Sequence, residues 1–86
     1  NSLVYRQTAY GGVNLPRWKE LKRFCEHDGW ELYKDTDHYF FRKRLSDGTL
    51  LRTKVSKGSG EIHPHMWQEI LKKQLHVTQE YFNSKL

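Results

Sequence analysis

The chain has 86 residues, enough for one small domain but not for two hydrophobic cores. Its net charge of +5 makes an anionic partner worth considering, and a soluble protein with a basic bias is the plain alternative. The one cysteine, Cys25, excludes an internal disulfide, and no apolar run approaches the ~20 residues that span a bilayer. We therefore expect a cytoplasmic location and no membrane partner.

The first residues differ in pattern from the rest. Residues 1–13 alternate only weakly and are interrupted by Gly11-Gly12, so we interpret them as an N-terminal extension that holds at most a short strand. Residues 14–86 are predicted to form the domain. Within it, Pro16 suits the first turn of a helix, with Asn14 just upstream as its cap.

The first helix is predicted from an apolar stripe and a stop signal. The stripe recurs at helical spacing, in Trp18, Leu21, Phe24 and Cys25. Gly29 follows the stripe at the position where a helix commonly ends. Cys25 lies in the stripe, so we expect a buried small side chain rather than a nucleophile.

Three strands are predicted next. Residues 30–34 form a short alternating run, and residues 35–37 signal a turn. Residues 38–45 are rich in aromatic side chains and lack glycine and proline, which indicates a second strand. The pair Asp47-Gly48 favours a tight hairpin that leads into a third strand over residues 50–56.

The C-terminal part returns to helical spacing after a flexible loop over residues 57–60. Pro64 suits the start of a helix, and Thr78 suits the cap of a last short helix. The apolar positions of these two helices are Trp67, Ile70, Leu71, Leu75, Tyr81 and Phe82. The order predicts an α+β fold of α-β-β-β-α type, a three-stranded antiparallel sheet with the helices packed on one face.

Side chains alternate between the two faces of a strand, so parity sorts them. The odd positions of the second and third strands are mostly apolar and should meet the helices. The even positions should share the other, open face: His38, Phe40, Arg42, Arg44, Leu50, Arg52 and Lys54. Cations around an aromatic ring suit a phosphate backbone and a base, and an alternative is a solvated face whose charges prevent aggregation. Our predicted RNA-binding residues are Phe40, Arg42, Arg44, Arg52, Lys54 and the loop residue Lys57.

His38 is the candidate for chemistry. A histidine beside a bound phosphodiester can transfer a proton, and RNA supplies its own nucleophile, the 2′-OH, so no metal or cofactor is needed. A nearby carboxylate such as Asp35 would favour the charged imidazole. The alternative is an ordinary surface histidine. The pair His63-Pro64-His65 resembles two metal ligands but lacks a third at supporting spacing.

From about Pro16 to Phe82 the chain resembles the HicA family, small toxins of bacterial toxin–antitoxin pairs. The family's first helix ends in a glycine followed by a large apolar residue, as in Asp28-Gly29-Trp30. Its G-S-x-H motif at the start of the second strand aligns with Asp35-Thr36-Asp37-His38. Its last helix is similar to residues 66–75, most closely in Ile70-Leu71-Lys72-Lys73-Gln74.

The resemblance implies a double-stranded-RNA-binding-like fold and a ribosome-independent mRNA endoribonuclease, with His38 as the catalytic histidine. It also implies neutralisation by a HicB-like antitoxin. The chain departs from the motif at Asp35 and Thr36, which replace its glycine and serine. An acid at this position favours an alternative, a non-catalytic RNA-binding module on the same face. A third hypothesis is a protein-interaction domain whose basic face meets an acidic partner.

Overall fold

The secondary-structure elements follow one another in the predicted order, in a computed structural model that describes residues 15–86. The predicted extension over residues 1–13 and the predicted cap Asn14 lie outside the described residues. The elements are α1 (Trp18–His27), β1 (Glu31–Asp35), β2 (His38–Arg44), β3 (Leu50–Ser56), α2 (Pro64–Glu69) with a π-helical continuation (Ile70–Leu75), and α3 (Gln79–Ser84). The α+β class and the α-β-β-β-α order are confirmed.

Helix α1 begins at Trp18, later than the position of Pro16 predicts. Pro16 lies outside the helix, and its carbonyl accepts a hydrogen bond from the backbone N–H of Ile62 at 2.9 Å. The next residue, Arg17, forms an antiparallel β-bridge with Glu61. Arg17 is the cap residue, and its backbone N–H donates to the Glu20 carboxylate at 2.7 Å. That contact satisfies a donor that the start of a helix would otherwise leave unpaired.

The end of α1 is fixed at Gly29, as the sequence predicts. Gly29 has φ +79°, in the left-handed region that favours glycine. The backbone N–H of Trp30 then donates to the carbonyl of Cys25 at 2.9 Å. This reverse turn directs the chain from the helix into β1.

The β2–β3 hairpin is regular from end to end. Its antiparallel register runs without a shift from the pair His38–Ser56 to the pair Arg44–Leu50. Gly48 has φ +94° in the connecting turn, a conformation that suits the predicted Asp-Gly pair. With no bulge in this hairpin, the parity of β2 and β3 determines which face each side chain occupies.

Strand β1 pairs with β2 on the opposite side from β3 and contains a β-bulge. Leu32 pairs with Phe41, whereas Lys34 pairs with Phe40, so Tyr33 is the extra residue of the bulge. A bulge re-aims side chains relative to strict alternation.

The helices pack on one face of the sheet, as predicted. Phe24 of α1 stacks on Phe82 of α3 with ring centroids 4.9 Å apart, and Trp67 of α2 meets the same Phe82 edge-on at 4.7 Å. Rings that are fully buried in this way each contribute about 1.5–3 kcal/mol. Ile62, which is also fully buried, was not among the predicted core residues. Among residues 15–86, no helix has the length and apolar character needed to cross a bilayer.

Two polar side chains on the helix-facing side of the sheet have partners there. The Thr53 hydroxyl donates to the side chain of Gln74 at 2.8 Å. The Lys43 ammonium donates to the Asp28 carboxylate at 3.0 Å. Because both side chains have hydrogen-bond partners, Lys43 and Thr53 can lie among the apolar residues on the helix-facing side of the sheet.

Asp28 connects three parts of the fold. Its carboxylate accepts hydrogen bonds from Trp30 Nε1, Lys43 Nζ and the Tyr81 hydroxyl, and its side chain is 4% exposed. Burial acts to raise the pKa of Asp28, but the hydrogen bonds from Tyr81, Lys43 and Trp30 outweigh burial and hold that pKa below its ordinary value. The end of α1 is thereby tied to β2 and to α3.

Candidate nucleic-acid interface

The open face is the side of the sheet opposite the helices. In β3, Leu51, Thr53 and Val55 are buried against the helices, while Arg52 and Lys54 are exposed between them. In β2, Phe41 is buried on the helix side. The predicted sorting of β2 and β3 by parity is confirmed.

The hairpin register brings five of the six predicted RNA-binding residues together. Phe40 lies opposite Lys54, and Arg42 lies opposite Arg52. Arg44 lies opposite Leu50 at the turn end, where its guanidinium donates to the Gly48 carbonyl at 3.2 Å. The result is a band of cations with an aromatic ring among them.

Strand β1 adds residues to the open face that the sequence analysis missed. The Tyr33 ring lies 6.2 Å from the Phe40 ring, centroid to centroid. The Lys34 ammonium lies 5.1 Å from the centre of the same Phe40 ring. Two consecutive residues thus reach one ring because of the bulge, which the sequence pattern of β1 does not reveal.

Glu31 also belongs to the open face, opposite Arg42. Its carboxylate accepts a hydrogen bond from Arg42 Nε at 2.8 Å, and the Arg42 guanidinium lies 4.9 Å from the centre of the Tyr33 ring. The hydrogen bond to Arg42 and its positive charge lower the pKa of Glu31. The same hydrogen bond and the negative charge of Glu31 raise the pKa of Arg42. Within the described strands, this face therefore carries one carboxylate, Glu31, and five cations: Lys34, Arg42, Arg44, Arg52 and Lys54.

His38 lies at the start of β2, at one end of the open face. Its side chain is 32% exposed, and its ring centroid is 6.2 Å from that of Phe40 in an edge-on arrangement. Nδ1 lies 3.2 Å from the Asp37 carboxylate. A hydrogen bond from Thr36 and the contact with His38 lower the pKa of Asp37. Asp37 thus contacts Nδ1 of the ring and not Nε2.

The sequence suggests Asp35 as the carboxylate beside His38. In the structure, that carboxylate is Asp37. Asp35 instead accepts a hydrogen bond from the Lys57 ammonium. The two residues meet on the helix side of the sheet, where Lys57 also lies 4.8 Å from the centre of the Tyr39 ring. Lys57 continues the odd parity of β3, so the structure does not bring this predicted RNA-binding residue to the open face.

Other reactive side chains have structural surroundings. Cys25 is fully buried, and burial, with smaller contributions from Asp28 and Glu26, raises the pKa of its thiol far above the usual range. The His63 ring accepts a hydrogen bond from the His65 backbone at 3.2 Å and so caps α2. Across residues 15–86, no three His, Cys, Asp or Glu side chains converge to hold a metal ion.

We compared the chain with family models, curated proteins and solved structures, and none of them matches it. The function is therefore inferred from the open face itself. That face combines a band of cations, two aromatic rings and one histidine whose Nδ1 meets a carboxylate. Such a surface can bind a polyanion through its phosphates and its bases, and the histidine can exchange a proton with it.

Proposed function

We propose that this protein binds mRNA on the open face and cleaves it as a metal-independent endoribonuclease, with His38 as the proton-transfer residue. The observation that carries the proposal is the position of His38 at the end of the cationic and aromatic band, next to Phe40. An RNA strand that follows the cations would run past His38. The resemblance of residues 16–82 to HicA toxins supports the same function.

The proposed reaction uses the nucleophile that RNA carries. The 2′-oxygen attacks the adjacent phosphorus while its proton passes to Nε2 of His38. The bond from phosphorus to the 5′-oxygen breaks, and that oxygen takes a proton from water. The hydroxide that remains takes the proton from His38 Nε2, which restores water and the original imidazole. The products are a 2′,3′-cyclic phosphate and a 5′-hydroxyl end. Lys54 lies opposite Phe40, two residues along β3 from the partner of His38, so a cation adjoins the site where negative charge develops.

The proposal includes a partner and a location. A HicB-like antitoxin would neutralise the toxin, and a carboxylate-rich partner surface would compete with RNA for the five cations of the open face. The substrate, mRNA, implies action in the cytoplasm. The third hypothesis, a protein-interaction domain without RNA binding, predicts that RNA does not compete with such a partner.

A non-catalytic RNA-binding module is the second candidate, and a specific contact favours it. The Asp37 carboxylate lies 3.2 Å from His38 Nδ1. Negative charge here repels an approaching phosphodiester. In this second candidate function, the cations bind RNA and His38 is a surface residue without a catalytic role.

The two candidates differ in what happens to bound RNA. We expect the purified protein to cleave an RNA oligonucleotide in the presence of EDTA and to leave a 2′,3′-cyclic phosphate. The same oligonucleotide with one deoxyribose at the cleaved position is the matched control, and we expect it to remain intact at that position. Salt-sensitive binding without cleavage would support the second candidate. Absence of RNA binding would contradict both.

A further inference from the structure

Two aromatic rings lie side by side on the open face. Tyr33 of β1 and Phe40 of β2 have ring centroids 6.2 Å apart and ring planes inclined at 57°. Tyr33 is 38% exposed, although large apolar rings are usually covered where the fold allows. Within residues 15–86, no helix covers this side of the sheet, because the described helices pack on the other face. In the described part of the chain, the two rings thus form an aromatic surface that no helix covers.

The bulge in β1 creates this surface. Leu32 precedes the bulge and shares the helix side with its partner Phe41, whereas Tyr33 and Lys34 both reach Phe40. In a regular strand, two consecutive side chains would point to opposite faces. The bulge thus adds both a ring and a cation beside Phe40.

Cations surround the two rings. The Arg42 guanidinium lies 4.9 Å from the centre of the Tyr33 ring, and the Lys34 ammonium lies 5.1 Å from the centre of the Phe40 ring. A nucleotide has a flat base next to an anionic phosphate. Rings at this spacing, each with a cation over it, match both parts of such a ligand, and the guanidinium over Tyr33 can itself stack on a base.

We infer that Tyr33 and Phe40 form a stacking site for an unpaired base, which makes single-stranded RNA the preferred substrate of this face. The inference rests on the proposed RNA binding. It specifies that the bound RNA is single-stranded, and it adds Tyr33 to the RNA-binding residues. In a duplex, each base is stacked between its neighbours and offers no free face to a ring. A flat sheet surface therefore reaches bases only where the RNA is unpaired.

The test compares single-stranded and duplex RNA of one sequence, both 2′-O-methylated so that neither is cleaved. Binding is followed by fluorescence anisotropy at a fixed salt concentration. We expect the protein to prefer the single strand by at least about tenfold, and we expect Tyr33→Leu and Phe40→Leu each to weaken single-strand binding by about tenfold. Leu32→Ala is the matched control, because Leu32 is exposed on the same strand but on the opposite face.

Two further readouts separate stacking from charge and from folding. Tyr33→Phe keeps the ring and should bind the single strand as the unmodified protein does. The slope of affinity against salt should stay the same in Tyr33→Leu, because no cation is removed. Thermal unfolding of each variant shows whether it is folded at the temperature of the binding assay.

The outcomes distinguish this inference from the proposed function. Equal binding of duplex and single strand, or unchanged affinity in the folded Tyr33→Leu and Phe40→Leu variants, overturns the stacking site and leaves RNA binding by the cations intact. Binding of neither RNA by the unmodified protein overturns the proposed function together with the stacking site. A loss confined to the two ring variants supports the inference.

Discussion

Arg42 and Arg52 lie directly opposite each other on neighbouring strands of the open face. Like charges at such a position destabilise a sheet. Glu31 offsets part of this repulsion through its hydrogen bond to Arg42, whereas Arg52 is exposed on the other edge strand. A bound phosphate between the two strands would relieve the rest. The pair therefore does not serve stability, and it supports the proposal that this face binds an anion.

Replacing Arg52 should separate binding from folding. We expect Arg52→Ala to weaken RNA binding and to reduce the slope of log affinity against log salt by about one, because one phosphate contact is lost. The free energy of unfolding should not fall, since the variant removes a repulsion. Arg23→Ala, on the exposed side of α1, is the matched control and should change neither quantity. Unaltered affinity in Arg52→Ala would remove this residue from the interface.

Replacing Glu31 should act in the opposite direction. We expect Glu31→Gln to strengthen RNA binding several-fold at low salt, because the only carboxylate that pairs with Arg42 among the described residues loses its charge. The gain should shrink as salt is added. Glu69→Gln, which alters an exposed ion pair with Lys73 on α2, serves as the control. Weaker binding in Glu31→Gln would mean that Glu31 positions Arg42 for RNA rather than competing with it.

Asp28 should matter for stability and not for binding. We expect Asp28→Asn to lower the free energy of unfolding by about 2 kcal/mol, because the buried carboxylate is the shared acceptor for Lys43, Trp30 and Tyr81. Urea denaturation measures the change. Glu26→Gln on the same helix replaces an exposed acid and should leave the free energy nearly unchanged. A change in Asp28→Asn no larger than in this control would contradict the role of Asp28 in tying the elements together.

The pH dependence of stability follows from the same residue. The pKa of Asp28 is lower in the folded chain than its ordinary value, so its contribution is fully present above the unfolded pKa of about 4. The contribution is lost as the pH falls through the lower, folded pKa. Stability should therefore decline more steeply between about pH 5 and pH 2 in the unmodified protein than in Asp28→Asn. Parallel curves for the two proteins would show that Asp28 does not contribute to this decline.

Much of the fold could be predicted because its signals are local. The stop at Gly29, the turn at Asp47-Gly48 and the cap at Thr78 each depend on residues a few positions apart, and each is confirmed. The start of α1 could not be predicted in this way. Pro16 accepts a backbone hydrogen bond from Ile62, which is far away in the sequence. A local preference for a helix start was overridden by that long-range contact.

The open face was predicted in its main part and missed at its edge. Parity places Arg42, Arg52 and Lys54 correctly because the β2–β3 hairpin has no register shift. Tyr33 and Lys34 join them through a bulge, and a bulge depends on how two strands pair rather than on the composition of one. The predicted RNA-binding residue Lys57 was not part of the parity argument, and its hydrogen bond to Asp35 holds it away from the open face.

The most direct test of the proposed function is the effect of His38→Ala on RNA cleavage and on growth. Expression of the unmodified chain should arrest growth, and the purified protein should cleave RNA in EDTA. We predict that His38→Ala abolishes both while the variant stays folded and still binds RNA, and that His65→Ala, an exposed histidine on α2, changes neither. Cleavage by a folded His38→Ala variant at the rate of the unmodified protein would contradict the account.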